Sequence, residues 1–470
     1  MNKIFADICV IGAGSGGLSV ASAASQLGIN VVLLEGNKMG GDCLNYGCIP
    51  SKSLIAASKS AHALTKGEPF GVKSVYPEVD FSKVKAHISN VIKKIEPHDS
   101  VERFEKLGVK VIRHYGKFIS KNEVMAGDTL IKARKFVIST GSQPLIPKIN
   151  GLKNIEYYTN ENIFDLKELP KNLIIIGGGP IGMEMAQAYS RLGANVTVLE
   201  AKNILEKDDP EAVSIAIMQL KSDGVQIKEN SLVINIEKDS DSIKVITSDG
   251  SIYNGSHLLI AAGRKSNIKY LDLDKANVHH LDQNIKVDSY LKTSNKRIYA
   301  IGDVTAKWQF THSAEYQASI IIKSAIFGLK VKQKTHHIPW TTYLDPEIAQ
   351  VGLTEAQAHK EYGNKVSIVK VNYRDNDRAI AELEPIGFVK VMVFKGRPVG
   401  ATIVGKQAGE LIQIWCLALS NKLKMTAISS MISPYPTLGE LNKRVANAYL
   451  APIVLNNILI KWIVRFFKKF

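Results

Sequence analysis

Asp7-Ile-Cys-Val-Ile-Gly-Ala-Gly-Ser-Gly-Gly17 decides the fold of this chain. Its first five residues read as an apolar strand. Glycines follow at 12, 14 and 17, Leu18 to Gly28 reads as a helix of small residues, and Val31-Val-Leu-Leu34 is a second strand ended by Glu35. Strand, glycine turn, helix, strand and acid in that order form the dinucleotide-binding pattern. The glycines let the backbone approach a pyrophosphate at the helix N-terminus, and Glu35 is placed to accept from a ribose hydroxyl. The pattern then recurs. Leu173-Ile-Ile-Ile176 leads into glycines at 177, 179 and 182, a helix to Gly193, and Val196-Thr-Val-Leu199 before Glu200. Laid without gaps, residues 8–35 and 173–200 agree at 13 of 28 positions, all three glycines and the final Glu included. Two dinucleotide-binding units, and so two bound dinucleotides, are expected.

Between them lies Gly41-Asp-Cys-Leu-Asn-Tyr-Gly-Cys-Ile-Pro-Ser-Lys52. In an uninterrupted α-helix, Cα atoms spaced like those of Cys43 and Cys48 stand roughly 8–9 Å apart. A disulfide tolerates less than about 7 Å. Pairing therefore needs a kink, which Gly47 can permit. Pro50 suits the first turn of a helix through Ser51–Ser58, which sets Cys48 at or near a helix N-terminus, where the dipole favours a thiolate. Spacing alone leaves three readings open: a redox pair, two unpaired structural cysteines, or half of a metal site. Two nucleotide units beside a redox-capable pair suggest electrons passing from one cofactor through another to sulfur.

Composition narrows the setting. The 470 residues are 45% apolar and 22% charged, as expected of a folded protein of two to four domains. Four cysteines are too few for a secreted disulfide framework, so a reducing, cytoplasmic compartment is expected. Cys9 and Cys416 each sit in an apolar run and are expected in the core. The N-terminal residues run straight into a strand with no secretory leader, and no 18 uninterrupted apolar residues predict a membrane span. The net charge of +16 is scattered and accompanied by no nucleic-acid motif, so nucleic acid is not an expected partner.

Along the rest of the chain, Leu54–Lys66 and Phe81–Leu107 read as helices and Phe136-Val-Ile-Ser-Thr-Gly-Ser142 as a strand ending in a glycine turn. Asp209–Ser222 reads as a helix. Arg297-Ile-Tyr-Ala-Ile-Gly-Asp303 places Asp303 at a strand C-terminus, where ligands of such sheets bind. From about Ile338 the pattern changes to antiparallel strands (Val366–Tyr373, Gly387–Phe394, Pro398–Val404) and a helix, Gly409–Ser420. In the tail, 451–470, Asn457, Lys461, Arg465 and Lys468 step along one helix face while Ile, Leu, Trp and Phe fill the other. This basic amphipathic helix has two readings: in-plane attachment to an anionic membrane, or docking on the protein's own or a partner's surface.

Assembled, these residues resemble the flavin-dependent pyridine nucleotide–disulfide oxidoreductases, the family of lipoamide dehydrogenase, glutathione reductase and mercuric reductase. The motifs carrying the likeness are Gly12/Gly14/Gly17 with Glu35, Cys43-x4-Cys48 with Lys52, Ser139-Thr-Gly-Ser142, Gly177/Gly179/Gly182 with Glu200, Gly263-Arg264 and Ala300-Ile-Gly-Asp303. The resemblance implies an α/β fold: an FAD-binding domain at 1–150 and 271–337, an NAD(P)-binding domain at 151–270, an α+β dimerisation domain at 338–450 and the tail at 451–470. It assigns Gly12, Gly14, Gly17, Glu35, Gly41, Lys52, Thr140, Gly141, Asp303, Thr311, His312 and Ala314 to FAD. It assigns Gly177, Gly179, Gly182, Glu200, Gly263 and Arg264 to the nicotinamide cofactor. Lys52 and Glu184 match the ion pair beside the flavin, Cys48 the thiol next to the flavin, and Cys43 the outer thiol that attacks substrate. A homodimer is implied, each C-terminal motif completing the other subunit's site. No resident metal is implied. Glu200 favours NADH over NADPH, because an acid on the ribose would repel a 2′-phosphate, although Lys202 lies close by.

The sequence departs from the family at one position. Lipoamide dehydrogenase and glutathione reductase carry His-Pro-Thr followed by Glu, the His acting as base. Here the motif is Tyr435-Pro-Thr-Leu-Gly-Glu440. A tyrosine near ~10 is a poor base at neutral pH. Mercuric reductases have Pro-Tyr at the similar place, yet their C-terminal cysteine pair is missing here. The expected function is electron transfer from NAD(P)H through FAD and Cys43–Cys48 to a sulfur-group, metal or metal-thiolate acceptor. Alternatives are a lipoamide dehydrogenase-like reductase, a membrane-surface diaphorase passing electrons to a quinone-like acceptor, and a flavoprotein with a mainly binding role.

Overall fold

The computed structural model describes residues 2–239, 242–282 and 284–468, so Lys469 and Phe470 of the tail lie outside the described residues. The chain forms two compact units, residues 1–203 with 225–333, and 204–224 with 334–470.

Two sheets of the first unit carry the repeated pattern, one mixed and one parallel. In one, the strand order is Lys110–Ile112, Val31–Leu34, Asn2–Ile11, Thr129–Ile138, Glu123–Ala126 and Gly116–Ser120, with Ile298–Ala300 also pairing with Thr129–Ile138. The long strand Thr129–Ile138 shares one edge between two partners: residues 129–132 pair antiparallel with Glu123–Ala126, and residues 136–138 pair parallel with Ile298–Ala300. In the other sheet the order is Gln226–Lys228, Asn195–Leu199, Asn172–Ile176 and His257–Ile260, all parallel. The repeat read from sequence is a repeat of register: Ile11 pairs with Leu34, and Ile176 with Leu199. Each glycine turn therefore leaves its sheet beside the acid that ends the neighbouring strand. Buried aliphatic residues such as Val10, Val32, Val137, Ile175 and Val198 line both sheets, the near-continuous apolar pattern that parallel strands covered on both faces require.

The second unit is built on a five-stranded antiparallel sheet, Pro339–Thr342, Glu347–Gly352, Arg397–Gly405, Phe388–Phe394 and Ser367–Asn372 in order. The sequence reading held only the last three of these strands. Trp415, fully buried, anchors the helices on this sheet and donates its indole N–H to Asn442 Oδ1 at 2.6 Å. Cys9 is fully buried. Cys416 is partly buried against the core, and burial pushes its thiol up to about 11.

Several boundaries differ from the sequence reading for identifiable reasons. The expected helix Phe81–Leu107 divides into Phe81–Ile95 and Val101–Lys106, because Pro97 opens a turn and Ser100 caps the second piece by accepting from Arg103 N–H. The helix expected at Gly409–Ser420 breaks at Ile412 into Ala408–Leu411 and Gln413–Ser420. The helix expected from Ser51 starts at Cys48 and runs to Ala63, with Gly47 as its N-cap residue.

Candidate active site

The two glycine turns are built alike. Helix Ser15–Gln26 starts after Gly14, which contributes no side-chain cap, and its first turn carries no acid. A Cβ at Gly17 would stand 2.0 Å from the Gly12 carbonyl oxygen, so this helix can pack on its strand only with glycine there. A Cβ at Gly14 would meet nothing within 4 Å. The turn thus presents bare backbone at a helix N-terminus to open space, a cradle suited to a pyrophosphate. Glu35 closes it, accepting from Ala13 N–H and Asn37 N–H, both at 2.7 Å. In the second turn a Cβ at Gly182 would again stand 2.0 Å from a carbonyl, that of Gly177, and Gly179 faces open space. Glu200 accepts from Gly178 N–H at 2.6 Å and Lys202 N–H at 2.9 Å. Both cradles fit a dinucleotide, and neither is filled by the chain itself.

The cysteine stretch is packed against the first turn. A Cβ at Gly41 would come within 2.8 Å of Gly14 Cα, at a φ of +60°. Cys43 lies in the short helix Gly41–Asn45. Tyr46 and Gly47 (φ −122°, ψ −110°) then break the path, and Cys48 is the first residue of the next helix. The break brings both thiols, unbridged in the structure, into hydrogen-bond contact with one another. Cys48 Sγ also lies 3.5 Å from Thr311 Oγ1, at the start of helix Thr311–Ile321. The thiols titrate apart. The hydrogen bond from Cys43, helped by Thr311 and the Lys52 ammonium, outweighs burial and pulls Cys48 down to about 6. The same bond, with burial and the Cys48 charge, pushes Cys43 up. One turn along the helix, Lys52 Nζ donates to Glu184 Oε2 at 2.7 Å, and that carboxylate is almost fully buried.

A second cluster centres on Arg264, which the sequence reading grouped with the nicotinamide set. Its Nε donates to Ser142 Oγ at 2.7 Å, and its Nη2 lies 3.1 Å from Asp42 Oδ1. Ser142 donates in turn to Asp303 Oδ2 at 2.6 Å. Burial raises Asp303 against this bond and the Arg264 charge. Asn160 donates to Asp42 Oδ1 and to the Tyr46 carbonyl, at 3.1 and 3.2 Å. Asp42, Ser142 and Asn160 therefore tie the cysteine loop to Asp303, and sequence reasoning assigned none of them a role. Asp42, a charge beside Cys43, and Ser142, at the end of a family motif, carried a local signal; Asn160 carried none. Thr140 donates to the Asn267 carbonyl at 2.7 Å, and Gly141 has a φ of +67°. Gly263, at +121°, precedes the strand of Arg264. His312 stacks on Phe310 with centroids 5.3 Å apart, and Ala314 is buried.

Tyr435 and Glu440 belong to the second unit. Tyr435 is exposed, and its hydroxyl donates to Asp377 Oδ2 at 2.9 Å; that bond and the Asp377 charge raise its pKa. Glu440 Oε1 lies 3.4 Å from Arg444 Nε, while its Oε2 is buried without a hydrogen-bond partner. Among the described residues, no three His, Cys, Asp or Glu are grouped to hold a metal ion.

Comparison with known proteins agrees with this architecture. Residues 6–318 match the pyridine nucleotide-disulphide oxidoreductase family and residues 338–446 its dimerisation domain. A mercuric reductase from Lysinibacillus sphaericus is 32% identical over 92% of this chain and 81% of its own length. A dihydrolipoyl dehydrogenase from Geobacillus stearothermophilus is 33% identical over 94% of this chain and 95% of its own. The Cu(II) complex of RclA, a HOCl-induced flavoprotein disulfide reductase from Escherichia coli, superposes with a TM-score of 0.84 at 26% identity, covering 93% of this chain and 99% of that one. The dimerisation domain points to a homodimer. The chain belongs to the class I pyridine nucleotide-disulphide oxidoreductases, enzymes that depend on FAD and draw their electrons from NAD(P)H.

Proposed function

We infer that the enzyme is an NADH-dependent reductase whose Cys43–Cys48 pair serves a metal ion or metal-thiolate acceptor. The observation that carries this is Tyr435. Its hydroxyl is held as a donor to Asp377, with its pKa above the usual tyrosine value, so it cannot take a proton from a thiol at neutral pH. A disulfide acceptor must gain protons on its leaving thiols, which a positioned acid–base group delivers; a metal ion takes up electrons alone, and the Cys43 proton passes to solvent. The relatives' identities do not decide the matter, since mercuric reductase and dihydrolipoyl dehydrogenase match at 32% and 33%. The Cu(II) bound by RclA supports a metal-facing site.

The proposed roles follow. Gly12, Gly14, Gly17, Glu35, Gly41, Thr140, Gly141, Asp303, Thr311, His312 and Ala314 would hold FAD, with Arg264 orienting Asp303 through Ser142. Gly177, Gly179, Gly182, Glu200 and Gly263 would hold the nicotinamide nucleotide. When bound, FAD supplies hydride acceptance from the nicotinamide and two-electron reduction of the disulfide. Glu184 fixes the Lys52 ammonium one helical turn from Cys48, where it favours negative charge. Cys48 holds the thiolate and Cys43 the proton. Closing the Cys43–Cys48 bond releases that proton to solvent and yields two electrons, taken together by one Hg(II) or singly by two Cu(II) ions. In the homodimer, Tyr435 of the partner subunit would border Cys43 as a ligand or orienting group.

The test is an acceptor screen. The purified flavoprotein is reduced anaerobically with NADH and then offered Hg(II), Cu(II), lipoamide or glutathione disulfide. Turnover is expected with metal ions and only at background with the disulfides; faster turnover with either disulfide sinks the reading. Tyr435→His is expected to raise disulfide reduction by about 10²-fold or more, the ordinary worth of a positioned base. With Glu200 engaged at the second turn, kcat/KM is expected to favour NADH, and a clear preference for NADPH would overturn that assignment.

A further inference from the structure

We propose that the helix Ile458–Phe467 is an interfacial anchor that binds the surface of an anionic lipid bilayer. The inference goes beyond the proposed reaction and does not depend on which acceptor is used. The preceding helix, Glu440–Leu455, is pinned into the second unit by its first turns, where Leu441, Val445 and Ala446 are fully buried. The axis then turns by 75° at Asn456–Asn457, and Asn457 caps the new helix by accepting from the N–H groups of Leu459 and Ile460. No residue of Ile458–Phe467 is buried. Ile458, Leu459, Trp462, Ile463, Phe466 and Phe467 are each more than half exposed, Trp462 by 70%.

At ~100° per residue, Lys461, Arg465 and Lys468 fall within about 60° of arc and the apolar side chains take up the remainder. A helix of ten residues is about 15 Å long, half of what a hydrocarbon core of about 30 Å demands. The first turns of the preceding helix are held in the protein core, and the 75° bend keeps the two helices from forming one straight span in this structure. The geometry is that of a helix lying in the interface, its apolar arc in the acyl boundary and its cations at headgroup level. Charge selects the lipid: no acidic residue follows Glu440, so the whole segment is complementary to anionic headgroups.

The experiment uses the full-length holoenzyme, sedimented with vesicles of phosphatidylcholine alone or mixed with phosphatidylglycerol. Wild type is expected to pellet with the anionic vesicles, less so as salt is raised. At about fivefold per cation, Lys461→Glu/Arg465→Glu/Lys468→Glu is expected to lower that partition at least ~100-fold. Trp462→Glu is expected to remain in the supernatant. NADH oxidation, unchanged in every variant, reports intact folding. Wild type left in the supernatant with both vesicles overturns the proposal, as does a charge-reversed variant that pellets like wild type. Loss of the dimer in the vesicle-free variants, read by sedimentation velocity, also overturns it and assigns the helix to a contact between copies.

Discussion

Cys43→Ser is expected to abolish NADH-driven reduction of metal ions and disulfides completely, while NADH-driven reduction of a quinone stays near wild type. A hydroxyl at position 43 cannot close the bond to Cys48, so the dithiol route ends, while a quinone needs no thiol. Rates with metal ions that stay unchanged would place the acceptor elsewhere. The same pair makes a pH prediction with a definite sign. Cys48 titrates at about 6 in the folded chain against 9.0 for an ordinary thiol. Its thiolate is therefore full above that range and is lost as the pH falls through about 6. Alkylation of the reduced enzyme by iodoacetamide is expected to follow that midpoint. The main cause is the hydrogen bond from Cys43, with Thr311 contributing. Hence Cys43→Ala and Thr311→Val are expected to move the midpoint upward, and Cys43→Ser, which keeps a donor, to move it less. Linkage has the same sense: the stability owed to this thiolate is complete above about 9 and lost as the pH falls through about 6. A midpoint near 9 in wild type would mean that the two thiols do not share a proton.

What the sequence disclosed was local. A glycine that must pack a helix on its strand announces itself by its place between an apolar run and a small-residue helix. The second copy of that pattern carried the same register between Ile176 and Leu199 as between Ile11 and Leu34. The cysteine pair, its kink at Gly47 and the nearby helix start were legible for the same reason. What stayed hidden depends on residues far apart in the chain. Asp377, which holds the Tyr435 hydroxyl, is 58 positions away. Arg264 reaches Ser142 across 122, and no period or turn signal reports where a guanidinium ends up. The tail read as a single amphipathic stretch, because a 75° change of axis at Asn456–Asn457 leaves the apolar pattern on either side unchanged. Lys390 is the sharpest case. In Phe388-Val-Lys-Val-Met-Val-Phe394 it marks what would be the solvent face of an alternating strand, yet it is buried together with both neighbours.

That burial makes Lys390→Met the substitution with the largest expected cost to stability. Lys390 Nζ is surrounded by carboxylates: Asp209 at 3.0 Å, Glu211 at 3.0 Å and Glu355 at 2.7 Å. Burial works against its charge, but the hydrogen bonds it donates to Glu355, Glu211 and Asp209 more than offset that and hold its pKa above the ordinary lysine value. Asp209 is as deeply buried as Lys390, and its other duty is to cap helix Pro210–Ser222 through the Glu211 N–H. Methionine fills much the same volume, so packing alone predicts little change. Electrostatics predicts a large one, since the Asp209 carboxylate would be left buried without its cation, at about 3–5 kcal/mol. For a unit of this size that corresponds to a Tm lower by about 6–20 °C, read by thermal denaturation of the holoenzyme. Lys390→Met/Asp209→Asn separates the causes. Asn keeps the cap but removes the stranded charge, so the double variant is expected to recover much of the loss. If the single variant melts within about 2 °C of wild type, water or a proton already compensates Asp209, and the cluster is not what joins helix Pro210–Ser222 to strand Phe388–Phe394.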